Sequence, residues 1–128
     1  MSADRYQWLA YARGDLHAAD LLAADASVPG RIACFHAHQA AEKALKAALV
    51  ASSTPFRKTH DIVVLAGLAP VGLVVALADI DIIMLQSWAV DGRYPGDLPD
   101  ATENETKAVV RVATEVVAAV ATWIDAAT

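Results

Sequence analysis

The stretch "FHAHQAAEKALKAAL", residues 35–49, decides the fold, because it is helix-forming throughout and combines a line of alanines with a strip of polar residues. At ~100° per residue, alanines that recur at alternating steps of four and three fall on one face of an α-helix. The line consists of Ala33, Ala37, Ala40, Ala44, Ala47 and Ala51. Small side chains let a partner helix approach closely. We therefore expect a central helix that packs on more than one side.

The polar residues of this helix are open to two interpretations. They form a strip made of His36, Gln39, Lys43 and Lys46, with Glu42 at its edge. In one interpretation the strip faces solvent, and Gln39–Lys43 and Glu42–Lys46 are i,i+4 pairs. In the other the strip is a ligand site. His38 projects from the apolar side instead, where a hydrogen-bonded core histidine is expected.

Turn signals divide the remaining chain into further helices. We predict helices over about 4–24, 31–51, 71–90 and 101–125, with a short helix that begins at "THD" and closes at Gly67 and Pro70. Thr59 is the expected N-cap of the short helix. The apolar residues recur every three to four positions, in segments too long for strands. The sequence therefore predicts one domain, residues 1–128, with an all-α fold: an up-and-down antiparallel bundle of four long helices plus one short helix.

The amino-acid composition limits the classes of function that the protein can have. The net charge of −5 lacks the basic surplus typical of proteins that grip phosphate backbones, so a nucleic-acid contact would need a local patch. A single cysteine, Cys34, precludes an intramolecular disulfide and suggests a reducing compartment. The uncharged run 62–78 is interrupted by Pro70 and Gly72, which favours short buried helices over a membrane span. We expect a cytoplasmic protein with no membrane contact.

Several site chemistries find no support in the residues. His36 and His38 are two apart on a helix and diverge, so they cannot share a metal ion. A Glu-x-x-His pair, a glycine-rich phosphate loop and a cysteine pair are all missing from the sequence. We expect neither a metal nor another cofactor.

Three stretches in a fixed order resemble a known family. "FHAHQAAEKALKAAL" is followed by "PFRKTHDIVVL", residues 55–65, and by "DGRYPG", residues 91–96. Together with an aromatic- and Asp-containing first helix, they resemble the HEPN domain, a small helical domain named for higher eukaryotes, prokaryotes and nucleotide binding. The resemblance covers nearly the whole chain, and its most specific part is the Gln-x-x-Glu-Lys-x-x-Lys core combined with Thr-His-Asp.

The resemblance implies a bundle of four to five helices, often dimeric, that is commonly encoded beside a minimal nucleotidyltransferase. Some such pairs are toxin and antitoxin, and some HEPN domains are metal-independent ribonucleases. The ligand-binding positions that the resemblance implies are Gln39, Glu42, Lys43, Lys46, His60, Asp61, Arg93 and Tyr94.

The ribonuclease branch of the family has an Arg, four to six residues and a His near the start of the last long helix. This chain departs from that pattern, because none of its histidines, His17, His36, His38 and His60, follows Arg93 or Arg111. Arg31 and His36 have the right spacing, but they lie on the second helix.

Three hypotheses for the function follow from these residues and from the resemblance. The leading hypothesis is a binding module that works with a nucleotidyltransferase, in which Lys43, Lys46 and Arg93 contact the phosphate of a nucleotide or RNA and Tyr94 stacks. The second is a metal-independent endoribonuclease that uses Arg31 with His36, or His60 with Arg93 in a dimer cleft. The third is a structural or antitoxin-like protein, a homodimer through the alanine line and the Val-rich last helix.

Overall fold

The computed structural model describes residues 3–89, 95–96 and 99–127. Over these residues the chain forms six helices and no strand, which confirms the predicted all-α class. The helices are α1 (Arg5–Ala23), α2 (Gly30–Ala51), α3 (Ile62–Gly67), α4 (Val71–Leu77), α5 (Ile82–Gln86) and α6 (Glu103–Ala127).

Local capping sets where the long helices begin. Before α1, the Asp4 side chain accepts from Gln7 N, and the Gln7 side chain accepts from Asp4 N, both at 2.8 Å. Before α6, Thr102 and Glu105 make the same reciprocal pair. Each capping box satisfies two N–H groups, one at the cap and one in the first turn. The predicted ends of these helices therefore agree with the structure to within two residues.

Helix α2 is the centre of the domain and packs against α1, α3, α5 and α6. Five alanines of its line, from Ala33 to Ala47, are at most 1% exposed. Its first residue, Gly30, lies so close to α6 that an added Cβ would come within 2.4 Å of Thr106 Oγ1. The start of α2 is therefore locked against the start of α6.

The proposed dimer surface of alanines and valines is wrong, because both faces are buried within one chain. The valines of α6 that form its apolar stripe, from Val109 to Val120, are no more than 7% exposed. They pack against α2 in the core that the alanine line also lines. Neither face is available to a second subunit.

The single long helix predicted over 71–90 is also wrong, since α4 ends at Leu77 and α5 begins at Ile82. Asp81 causes the break: its side chain accepts from Met84 N at 3.0 Å and so caps a new helix. Two short helices therefore replace the long one, and the second of them carries Gln86 to the candidate site described below.

Most of the exposed large apolar side chains lie on or beside the short helices α3, α4 and α5. We call this the apolar face; it comprises Val63, Val64, Leu68, Val71, Val74, Val75 and Ile83. Val71 is 82% exposed and Ile83 75%. None of the helices in the described part of the chain is both long enough and apolar enough to cross a membrane.

Candidate functional site

A buried carboxylate lies at the centre of the polar strip. Glu42 is 3% exposed and Lys46 is 6% exposed. Lys46 Nζ donates to Glu42 Oε2 at 3.0 Å, so the predicted i,i+4 pair is present. The solvent-facing interpretation is nevertheless wrong for these two residues, because both are buried: Trp8 of α1 lies against Lys46, and His60 lies against Glu42. A buried ion pair is costly to desolvate, so burial alone does not make this pair stabilising.

The second oxygen of Glu42 holds His60. His60 Nδ1 lies 2.9 Å from Glu42 Oε1. A carboxylate that already accepts from a lysine can only accept again, so Nδ1–H donates and Nε2 is directed away from Glu42. The His60 side chain is 60% exposed while that of Glu42 is 4% exposed. The result is an oriented imidazole that presents one nitrogen to solvent.

The turn before α3 is organised by its own side chains. Asp61 is the N-cap, and its Oδ1 accepts from Val63 N and Val64 N at 3.0 and 3.2 Å. Thr59, which the sequence predicted as the cap, instead accepts from Asp61 N through its Oγ1. Because Asp61 occupies these N–H groups, the start of α3 does not offer them to an anion, and the role of Asp61 is to shape the turn that carries His60.

Gln86 fixes the same turn from the side of α5. Its Oε1 accepts from Ile62 N at 2.9 Å and lies 3.2 Å from His38 Nε2. Since an amide oxygen can only accept, His38 Nε2 is the donor. His38 is 1% exposed, which confirms it as a hydrogen-bonded core histidine. Three helices, α2, α3 and α5, therefore meet at one amide oxygen.

A second ion pair lies further along the strip. Lys43 Nζ donates to Asp15 Oδ2 of α1 rather than pairing with Gln39 as predicted. His36 Nδ1 is 3.8 Å from the other oxygen of Asp15. Gln39 is half-buried between these residues on α2. Asp15 of α1 therefore contacts the strip at two of its residues, His36 and Lys43.

Each lysine also contacts an aromatic ring of α1. Lys46 Nζ lies 5.5 Å from the centroid of the Trp8 ring, and Lys43 Nζ lies 5.8 Å from that of Tyr11. Both distances are within cation–π range. The sequence analysis missed Trp8, Tyr11 and Asp15 as site residues. Their spacing of three and four residues placed them on one face of α1, which was the available signal.

Of the residues proposed for RNA cleavage, Arg31 and His36 contact different partners. Arg31, at the start of α2, pairs with Asp100 at 3.9 Å, whereas His36 faces Asp15 on α1. Arg93 and Tyr94 lie outside the described residues, so the structure places neither of them. In the part of the chain that the structure describes, no three His, Cys, Asp or Glu side chains are grouped as ligands for a metal ion.

Replacing Glu42 by Ala should lower the free energy of unfolding by about 3–5 kcal/mol, because Lys46 would remain buried without its partner. Chemical denaturation followed by circular dichroism measures this loss. The matched control is Glu115→Ala, which removes an exposed i,i+4 partner of Arg111 and should cost no more than about 1 kcal/mol. Equal losses in the two variants would contradict the importance of the buried pair.

Comparisons with known proteins agree with this architecture. The archaeal HEPN homologue ST0689 has a solved structure that superposes with a TM-score of 0.71 at 21% identity, covering 96% of this chain and 99% of that one. The structure of TT1696 from Thermus thermophilus also gives a TM-score of 0.71, at 26% identity, covering 92% of this chain and 96% of that one. No curated protein sequence matches the chain.

The family profile adds the decisive finding. The model of the HEPN domain matches residues 6–123, a range that includes α1, α2 and the buried Glu42 with its partners His60 and Lys46. The match spans nearly the whole chain, and both solved structures share its fold over almost their full length. The protein described here belongs to the HEPN domain family.

Proposed function

We propose that this HEPN domain is a binding module that recognises the phosphate of a nucleotide or RNA at His60, and that it works with a nucleotidyltransferase on another chain. The observation that carries the proposal is the pairing of an exposed imidazole with a buried carboxylate. The Glu42 carboxylate accepts from Nδ1–H of His60 and leaves Nε2 directed outward, and an imidazole that carries a proton on both nitrogens would donate this second N–H to an anionic ligand.

Neighbouring cations support a phosphate at this position. Arg57 and Lys58 are exposed on the loop that leads to His60. They supply the local basic patch that a chain with a net charge of −5 needs for such a ligand. Lys43 and Lys46, which the sequence suggested as direct contacts, act in this proposal through Asp15 and Glu42 instead, and hold the site in shape.

A metal-independent endoribonuclease is the second candidate, and the Glu42–His60 pair is the observation that favours it. A carboxylate that holds one imidazole nitrogen leaves the other nitrogen to act as a general base or acid towards a ribose 2′-hydroxyl. This candidate requires a further group, such as Arg93, to stabilise the charge that develops on the phosphate.

Replacing His60 by Ala should weaken the binding of a fluorescein-labelled single-stranded RNA decanucleotide by roughly tenfold or more, because a charge-assisted contact is lost. Fluorescence anisotropy measures the affinity. His17→Ala, which removes an exposed histidine of α1, should leave it unchanged. Unaltered affinity in His60→Ala would contradict the proposed site.

The same samples, incubated in EDTA and resolved on a denaturing gel, separate the two candidate functions. A module that only binds leaves the RNA intact, whereas the ribonuclease candidate predicts cleavage that disappears in His60→Ala and persists in His17→Ala.

The nucleotidyltransferase partner is proposed from family membership. Gentle purification of the tagged protein from its native host, followed by mass spectrometry, should recover a nucleotidyltransferase in stoichiometric amount. Recovery of the protein alone would count against a stable pair and, with it, against a toxin–antitoxin role that depends on one.

We propose that a homodimer forms through the apolar face, because the alanine line is buried within one chain. Exposed large apolar side chains that are concentrated on neighbouring helices are typical of interaction sites. Two copies that each carry a net charge of −5 repel one another least where they meet through uncharged surface, and no residue from Ile62 to Ala78 is charged. A two-fold arrangement would pair the face with itself.

The double variant Val71→Lys with Val75→Lys should be a monomer in light scattering coupled to size exclusion, while the unaltered protein should have twice the chain mass of 13.5 kDa. Each subunit would bury two lysine side chains in the contact, and their desolvation and mutual repulsion would oppose dimerisation. Leu21→Lys, at an apolar residue of α1 that is 60% exposed, is the matched control and should remain dimeric. A monomeric unaltered protein would overturn this proposal.

A further inference from the structure

A shallow depression of about 180 Å³ lies at the start of α1, beside the candidate site. Its lining consists of Ala3, Gln7, Trp8 and Tyr11. Tyr11 is 69% exposed, and Trp8 is half-buried. An aromatic side chain as exposed as Tyr11 gains little from core packing, and much of its ring is accessible to a ligand.

The two rings are held by a repeated arrangement. Lys46 lies between the Glu42 carboxylate and the Trp8 ring, and Lys43 lies between Asp15 and the Tyr11 ring. Each ammonium group is fixed by its carboxylate and attracted by the ring. The lysines therefore restrain the two rings, which reduces the entropy that a ligand would lose by ordering them.

We propose that Trp8 and Tyr11 form a stacking shelf for the base of a purine nucleoside 5′-phosphate. The inference deepens the proposed function and rests on it, since the phosphate of the same ligand would be the group recognised at His60. Flat aromatic side chains beside cationic groups are the usual means by which proteins hold bases without reading a sequence.

Two buried side chains connect the shelf to the proposed phosphate position. Trp8 contacts Lys46, Lys46 contacts Glu42, and Glu42 contacts His60. One continuous strip of side chains thus runs from an aromatic surface to an oriented imidazole. A nucleotide has the same order of parts, a flat base at one end and a phosphate at the other.

Gln7 adds a polar group at the edge of the shelf. Its Oε1 accepts from Asp4 N in the capping box, which leaves the amide NH₂ as the group that can donate to a ring nitrogen or carbonyl of a base. Cation-restrained rings and an amide donor together suit a heteroaromatic base better than an aliphatic ligand, which would gain nothing from the donor.

Isothermal titration of AMP and of ribose 5-phosphate tests the shelf, because the two compounds differ in the base. The unaltered protein should bind AMP roughly 5- to 150-fold more tightly, the range expected for stacking one base. Tyr11→Ala should bind both compounds with the affinity that the unaltered protein has for ribose 5-phosphate.

Two variants are the controls. Tyr6→Ala removes another exposed tyrosine of α1, 55% exposed and outside the depression, and should keep the preference for AMP. Tyr11→Phe retains the ring and should keep it as well. Equal binding of the two compounds by the unaltered protein, or a preference that survives in Tyr11→Ala, would overturn the shelf alone. Failure to bind either compound would overturn the proposed phosphate site together with it.

Discussion

The close approach of α2 to its neighbours is the constraint on which the rest of the structure depends. Alanines along one face let α1 and α6 lie near the axis of α2, so that this helix is buried over most of its circumference. Glu42 and Lys46 fall within the buried region and lose their access to water. A carboxylate in such a place costs several kcal/mol unless charged or hydrogen-bonded partners surround it. The packing of small residues thus creates the need for the polar network.

That network is better explained by orientation than by stability. Replacing a buried ion pair with apolar residues of similar volume is often neutral or even stabilising, so the pair is not required to hold a bundle together. Apolar residues in these positions could not accept a hydrogen bond from an imidazole and so could not orient it. Glu42 uses one oxygen for Lys46 and the other for His60, and this second contact reaches from the core to the surface.

The position of His60 is set from the other side by the broken helix. Because Asp81 starts a new helix, Gln86 lies where its side chain reaches both Ile62 N and His38. Asp61 then caps α3 and closes the turn. The exposed histidine therefore stands on a turn that is held by the core at Ile62 and by the buried carboxylate at Nδ1. The apolar face lies on the same short helices.

The sequence by itself determined the helical class, the ends of α1, α2 and α6, and the family. These depend on local signals, such as capping boxes, the alanine spacing and the order of the Gln39–Lys46 and Thr59–Asp61 motifs, which are readable without the fold. The sequence did not determine that the Glu42–Lys46 pair is buried, because the i,i+4 spacing is the same on a solvent-exposed face of a helix and on a buried one. Burial was decided by the tertiary packing, in which Trp8 of α1 lies against Lys46 and His60 lies against Glu42. The contact of His60 with Glu42 and the break at Asp81 were likewise decided by tertiary packing, since each depends on how separate helices lie against α2 rather than on the residues beside them.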